Sequence, residues 1–196
     1  MKPLHPLWLR IWHWANTVII VLLIVTGLEL GFTDLHIFPF QKAVLIHKVL
    51  GFAMIAGFLF WLVAAVLDGS LARCYGVRRR DLSGLARQAR YYALGTFKGE
   101  TDPFPTTAGE KFNPLKKLAY ISIQLVFTPV VIVTGVLFSD ILLFRQAIGF
   151  IGGLRVLDAV HVIAAYVFAD FIVIHAYMAT TGKTPLSRIR EMFTGI

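Results

Sequence analysis

The chain has 196 residues, of which 57% are hydrophobic and 15% charged, and its mean hydropathy is +0.72. A soluble domain of this size needs far more polar surface, so the composition predicts a protein embedded in the lipid bilayer. Nineteen Lys and Arg against eleven Asp and Glu could indicate a nucleic-acid partner. Charges confined to the ends of apolar segments are instead typical of membrane topology, and we predict no nucleic-acid binding.

Four apolar segments are long enough to cross a bilayer as helices, and they cover about residues 11–30, 44–67, 115–138 and 156–180. No small-residue cleavage site follows the first, so we interpret it as an uncleaved span. Pro129 predicts a kink in the third. The predicted fold is therefore all-α, an integral membrane four-helix bundle that forms one domain over residues 1–196.

The connections between these spans differ in length and polarity. Two are short, at about residues 31–42 and 139–155, whereas residues 68–114 form one long polar region. Within that region, Leu and Ala recur at helical spacing against arginines between Leu82 and Ala93, which predicts an amphipathic helix on the membrane surface. The single cysteine, Cys74, excludes an intrachain disulfide, a Cys-x-x-Cys-His haem attachment and an iron–sulfur cluster held by this chain alone.

Basic residues predict the orientation of the spans. The N-terminal tail, residues 68–117 and the C-terminal tail together hold fifteen of the nineteen Lys and Arg residues. The opposite side holds Lys42, Lys48, Arg145 and Arg155. By the positive-inside rule, both termini and the loop at residues 68–114 are predicted to be cytoplasmic.

Histidines within the spans form two pairs by depth. His161 and His175 lie fourteen residues apart, close to four helical turns, so both side chains leave one face of the last span about 21 Å apart. The predicted topology places His13 at the inner depth of His175, and His47 at the outer depth of His161. Histidine is costly in hydrocarbon and indicates a functional site there.

Two layers of paired histidines in a four-helix bundle are what bis-histidine haem ligation requires, because an axial imidazole must approach the iron from each face of the macrocycle. The haem irons would then be the metals held by His13 with His175 and by His47 with His161. Polar packing or proton relay is the simpler alternative for any one of these residues. Zinc would need its ligands at one point, which a 21 Å separation prevents. His5 and His36 lie outside the spans and are predicted to be ordinary polar residues.

Several short motifs, taken in order, carry a family resemblance. The chain resembles the prokaryotic di-haem b-type cytochromes that serve as membrane subunits of respiratory nickel–iron hydrogenases, formate dehydrogenases and thiosulfate reductases. The resemblance rests on Arg10-Ile-Trp-His13-Trp, Thr26-Gly27, His47-Lys-Val-Leu-Gly51, Lys111-Phe-Asn113-Pro-Leu-Lys-Lys-Leu-Ala-Tyr120, and His161 with His175. Thr134-Gly135 takes a place in the third span similar to that of Thr26-Gly27 in the first, but two dipeptides do not establish an internal repeat.

The resemblance implies an electron conduit in the bacterial or archaeal cytoplasmic membrane. It implies two b-type haems, a periplasmic iron–sulfur subunit at the outer haem, a separate catalytic subunit, and menaquinone or ubiquinone at the inner haem. Asn113 matches an asparagine near the quinone in the formate dehydrogenase relatives, although a helix cap before Pro114 is an equal alternative. Arg10 is a candidate partner for a haem propionate, for which a guanidinium is well suited, and an ordinary topogenic arginine is the alternative.

Two other functions remain open at this point. A stand-alone cytochrome b that oxidises superoxide with quinone would use the same four histidines. A transporter or channel with buried histidines and no haem is the third hypothesis. The sequence also leaves open the direction in which electrons would flow.

Overall fold

The computed structural model describes residues 5–32, 34–35, 37–76, 79–105, 112–182, 184 and 186–195, with side chains for all of these except 73–75, 79 and 80. Every regular element in these ranges is helical, and no strand occurs among them. His36, predicted to be an ordinary polar residue, lies outside the described residues.

Four helical spans are long and apolar enough to cross a membrane: α1 (Leu7–Gly31), α2 (Phe40–Leu67), a composite third span (Pro114–Ser139) and α8 (Leu154–Thr180). This confirms the all-α, four-helix membrane fold. The helices begin up to four residues before the predicted apolar segments, because polar and aromatic residues flanking each segment continue the helix. The orientation of the termini relative to the membrane stays a prediction.

The third span consists of three consecutive helical segments, which are α5 (Pro114–Ile121), a π-helix (Ser122–Phe127) and α6 (Thr128–Ser139). The π-helix lies just before Pro129, which has no N–H to donate. There the Thr128 hydroxyl donates to the Ile123 carbonyl at 2.8 Å. The Ile123 carbonyl also accepts the Thr128 backbone N–H, so the backbone and the side chain of Thr128 both close the π-helical turn that precedes the proline.

Shorter helices occupy the connections: α3 (Ser70–Tyr75), α4 (Arg79–Arg90), a π-helix (Tyr91–Gly95), a 3-10 helix (Thr96–Lys98), α7 (Arg145–Phe150) and α9 (Ser187–Thr194). The long polar region is therefore mainly helical up to Lys98. A helix at α4 agrees with the amphipathic pattern in the sequence. A buried ion pair joins α4 to α5, where Lys117 Nζ lies 2.8 Å from Asp81 Oδ2.

Packing between the spans leaves most large apolar side chains on the outside of the bundle, where lipid can cover them. α1 packs against α2, α2 against α6, and α6 against α8. A central cluster of Met54, Ile123 and Phe168 joins α2, the π-helix of the third span and α8. The bundle core is thus small and lies at mid-depth.

The C-terminal helix α9 returns to the start of α1. Arg10 Nη1 donates to the Thr194 carbonyl at 3.0 Å, and Trp14 Nε1 donates to the Met192 carbonyl at 3.4 Å. The Trp14 ring also stacks on Phe193, with centroids 4.4 Å apart. The beginning of the first span and the end of the last helix therefore lie at the same end of the bundle.

Candidate functional site

The four histidines of the spans meet as two pairs. The ring centroids of His13 and His175 are 6.1 Å apart, and those of His47 and His161 are 6.3 Å apart. The planes of the rings are inclined by 48° in the first pair and 67° in the second. Each pair joins α8 to one helix of the α1–α2 hairpin, so the pairs bridge the two halves of the bundle.

The ring separation fits two imidazoles on opposite sides of one metal ion. An imidazole nitrogen bonds a metal at about 2.0–2.1 Å and lies about 1.1 Å from its ring centre, so two such rings have centroids about 6.3 Å apart. Both observed separations agree with this value. Within the described part of the chain, no group of three or more His, Cys, Asp or Glu side chains converges, as a bare tetrahedral site would require.

A threonine fixes the orientation of each ring in the His47–His161 pair. Thr26 Oγ1 lies 2.9 Å from His47 Nδ1 and 2.7 Å from the Leu22 carbonyl. The hydroxyl has one hydrogen, and its bond to the carbonyl uses that hydrogen. We therefore assign Nδ1 of His47 as the donor to Thr26, a tautomer that leaves Nε2 with a free lone pair.

The second histidine of this pair has the same arrangement. Thr134 Oγ1 lies 2.7 Å from His161 Nδ1 and 2.7 Å from the Val130 carbonyl. Both threonines are almost fully buried. Both rings therefore present an unprotonated Nε2, the state in which imidazole binds iron.

A glycine follows each threonine and leaves room for the imidazole. A Cβ at Gly27 would lie 3.3 Å from His47 Cε1, and a Cβ at Gly135 would lie 3.6 Å from His161 Cε1. The two Thr-Gly dipeptides thus perform one task on two different helices. The sequence pattern shows their similar position, but only the packing reveals that the threonine and glycine both serve the neighbouring histidine.

Aromatic rings rather than hydroxyls surround the His13–His175 pair. Phe171 stacks on His175 with centroids 5.4 Å apart, and Tyr120 meets the same ring edge-on. The Tyr120 hydroxyl is 3.4 Å from His175 Nδ1, which is long for a hydrogen bond. Nδ1 of His13 is buried and has no hydrogen-bond partner among the described residues.

Phe168 lies between the two pairs. It follows His161 by seven residues and precedes His175 by seven, so it stands about 10.5 Å from each along the axis of α8. Its side chain is buried in the central apolar cluster. An apolar layer therefore separates the two histidine pairs.

Asn113 lies close to the His175 end and caps α5. Its Oδ1 accepts from the Lys116 N–H at 2.9 Å, and its Nδ2 donates to the Tyr92 hydroxyl at 2.7 Å. The cap, one of two alternatives in the sequence, is therefore present. One amide hydrogen remains for another acceptor, and the assignment of Asn113 to quinone stays a prediction.

Arg10 holds the C-terminal helix through its Nη1, as described above, while its buried Nε has no hydrogen-bond partner among the described residues. Its assignment to a haem propionate also stays a prediction. His5 precedes α1 and is not part of either pair. Asp170 is exposed on α8, turned away from the face that carries the two histidines.

Two comparisons with known proteins bear on this site. The sequence profile of the family described as prokaryotic cytochrome b561 matches residues 4–195. A putative cytochrome of Escherichia coli (strain K12), YdhU, is 36% identical over 190 residues, which make up 95% of this chain and 70% of that protein.

Proposed function

The chain belongs to the prokaryotic cytochrome b561 family and is therefore a transmembrane b-type cytochrome for electron transfer, and from this premise we propose that it carries electrons between a periplasmic iron–sulfur subunit and the quinone pool. It is a multi-pass protein of the bacterial inner membrane. In the proposed complex, a third subunit performs the substrate chemistry, and this chain provides the membrane path.

The proposed cofactors are two b-type haems, one for each histidine pair. The observation that carries this assignment is the separation of 6.1 Å in one pair and 6.3 Å in the other, which suits two axial imidazoles on one iron. When bound, such a haem supplies an iron that accepts and releases one electron. The chain orients the ligands, through Thr26 and Thr134 at one site and through aromatic packing at the other.

The proposed orientation follows the distribution of basic residues. Fifteen of the nineteen Lys and Arg residues lie with the two tails and residues 68–117, which favours a cytoplasmic location for these segments. The His47–His161 pair is then the outer pair, near the iron–sulfur subunit. The His13–His175 pair is the inner pair.

Quinone is proposed to bind beside the inner pair, at the end of the bundle where the Tyr120 hydroxyl approaches His175. The Tyr120 hydroxyl lies 3.4 Å from its ring, and Asn113 caps the same span below Tyr120. A quinone carbonyl accepts hydrogen bonds, and a phenol hydroxyl and a free amide hydrogen are suitable donors. We assign these groups to quinone binding and not to electron transfer itself.

Optical spectra of histidine variants test the haem assignment. In reduced-minus-oxidised spectra of the purified protein, we expect two b-type haems in the wild type. His13→Ala should lose only the inner haem, and His47→Ala only the outer one. His5→Ala, outside both pairs, should keep both. Absence of a b-type α-band would refute haem binding, and depletion of the same haem by His13→Ala and His47→Ala would refute the pairing.

The partner is tested by purification from native membranes without crosslinker. A stoichiometric iron–sulfur protein, identified by its reduced electron paramagnetic resonance signal, is expected with the cytochrome. A chain that purifies alone and reduces quinone with superoxide would contradict the proposed complex and support the stand-alone oxidoreductase.

A further inference from the structure

The two histidine pairs differ in how their Nδ1 atoms are bound. In the pair formed by His47 and His161, each Nδ1 lies within hydrogen-bond distance of a threonine hydroxyl, at 2.9 Å and 2.7 Å respectively, and in the tautomer assigned above it is the donor. In the other pair, the distance from His175 Nδ1 to the Tyr120 hydroxyl is 3.4 Å, and His13 Nδ1 has no partner among the described residues. The His47–His161 pair therefore has two short hydrogen bonds at Nδ1, whereas the His13–His175 pair has only one long contact among the described residues.

Hydrogen bonding at Nδ1 changes what the ring gives to a metal at Nε2. A ring that donates its Nδ1–H to an acceptor gains negative character and becomes a stronger electron donor to the metal. A stronger donor stabilises the ferric state more than the ferrous state, which lowers the reduction potential of the iron. The threonine acceptors are themselves fixed, because each donates its only hydrogen to a carbonyl one helical turn back.

We propose that Thr26 and Thr134 lower the reduction potential of the haem at the His47–His161 pair below that of the haem at the His13–His175 pair. The inference rests on the proposed haem ligation, but not on which side of the membrane either pair faces. Both threonines act through the histidines and are positioning residues. The difference in potential favours electron transfer from the haem at the His47–His161 pair to the haem at the His13–His175 pair.

The direction concerns a single electron. One electron would pass from an iron held by His47 and His161, oxidised from ferrous to ferric, to an iron held by His13 and His175, reduced from ferric to ferrous. No proton or further reactant is needed for this transfer. In the orientation proposed above, the favoured flow is inward to quinone, which suits a complex that oxidises its periplasmic substrate.

Redox titration of threonine variants tests this inference. Thr26→Val and Thr134→Val keep the shape of the side chain and remove the acceptor. The matched control is Thr17→Val, since Thr17 also bonds a carbonyl one turn back, at 2.7 Å from the His13 oxygen, in the same helix as Thr26. The measurement is the potential of each b-type α-band in the purified protein.

Each Thr→Val substitution should raise the reduction potential of the haem at the His47–His161 pair and leave that of the other haem unchanged. The expected change in the reduction equilibrium constant is threefold to tenfold, or about 28–59 mV for one electron. Thr26→Ser should restore the wild-type value, because the hydroxyl returns. Thr17→Val should leave both potentials unchanged. A shift no larger than that of Thr17→Val would refute the role of the threonines.

A second measurement does not depend on how the threonine variants fold. His13→Ala retains the haem of the His47–His161 pair, and His47→Ala retains the haem of the other pair, so each potential can be assigned. We expect the lower potential in His13→Ala. Equal or inverted potentials would refute the inference while leaving the haem ligation intact, whereas failure to bind two haems would refute the proposed function itself.

Discussion

Replacement of Gly27 by alanine should weaken haem binding at the His47–His161 pair, whereas the same change at Gly135 should not. The added Cβ would lie 3.3 Å from His47 Cε1 at the first position and 3.6 Å from His161 Cε1 at the second. Carbon atoms pack best at about 3.5–4.0 Å. Gly27→Ala therefore requires the ring to retreat by about 0.2 Å or more, and Gly135→Ala requires no movement.

The His47 ring has little freedom to retreat. Its Nδ1 is bonded to the buried Thr26, and in the proposed site its Nε2 must also reach the iron. Disturbing the orientation of a metal ligand costs about 10–100-fold in metal affinity, and we expect the lower end of this range for so small a movement. Gly135→Ala should remain within about twofold of the wild type.

Helix propensity favours alanine over glycine, so it opposes the haem loss expected in Gly27→Ala. It acts equally in Gly135→Ala, which makes the comparison of the two variants informative. Alanine is more favourable than glycine within a helix by about 1 kcal/mol, and both positions lie inside spans. A difference between the two variants therefore reports the approach of the histidine and not the backbone.

The assay is haem content per protein, measured as the pyridine haemochrome and divided between the two haems by redox titration. The haem of the His13–His175 pair provides an internal standard in each sample. Equal loss in both variants, or full retention in Gly27→Ala, would contradict the steric reasoning.

Two further substitutions test the contacts on either side of α5. Lys117→Met removes the ammonium that lies 2.8 Å from the buried Asp81 carboxylate, at a cost of about 3–5 kcal/mol, and should lower the melting temperature, followed by haem absorbance, by about 6–20 °C. Addition of Asp81→Leu should recover most of that loss, and an equally unstable double variant would argue against the ion pair. Asn113→Ala should keep both haems, lose about 1 kcal/mol of stability with the helix cap, and raise the KM for quinone. Asn113→Ser keeps a capping oxygen but loses the amide, so a wild-type KM in both variants would assign Asn113 to the cap alone.

The spans and the histidine pairs could be predicted because they depend on short-range regularities. An apolar segment of sufficient length is a helix in a bilayer, and fourteen residues in one helix fix the relation of His161 to His175 whatever surrounds them. The alternating direction of successive spans then sorts His13 and His47 by depth. The structure brings the same partners together, although their role as haem ligands stays a prediction.

The contacts of Thr26 could not be predicted from the same regularities. Thr26 is twenty-one residues from His47 in the sequence, and whether they meet depends on the rotation of α1 about its axis, which hydropathy does not specify. A threonine in an apolar span is also satisfied by its own helix, through a carbonyl one turn back. The sequence therefore gives no indication that Thr26-Gly27 contacts a histidine of the neighbouring helix.

Arg10 and Asn113 show a second limit of prediction from sequence. One polar side chain can either bind a cofactor or make a structural hydrogen bond, and the sequence does not decide between the two. In the sequence, each side chain has the chemistry for a cofactor and for a structural bond. The structure shows structural bonds for both, from Arg10 to the last turn of α9 and from Asn113 to the first turn of α5. The return of α9 to the start of α1 is a long-range event that no local pattern indicates.

The distribution of the histidines along the chain has a consequence for biosynthesis. The hairpin of α1 and α2 is synthesised before α8 and carries one histidine of each pair, whereas both remaining histidines lie on α8. A nascent chain that stops before α8 presents two half-sites and no complete one. In the proposed assignment, neither site can gain its second histidine ligand before α8 is made, and insertion of this single helix completes both sites together.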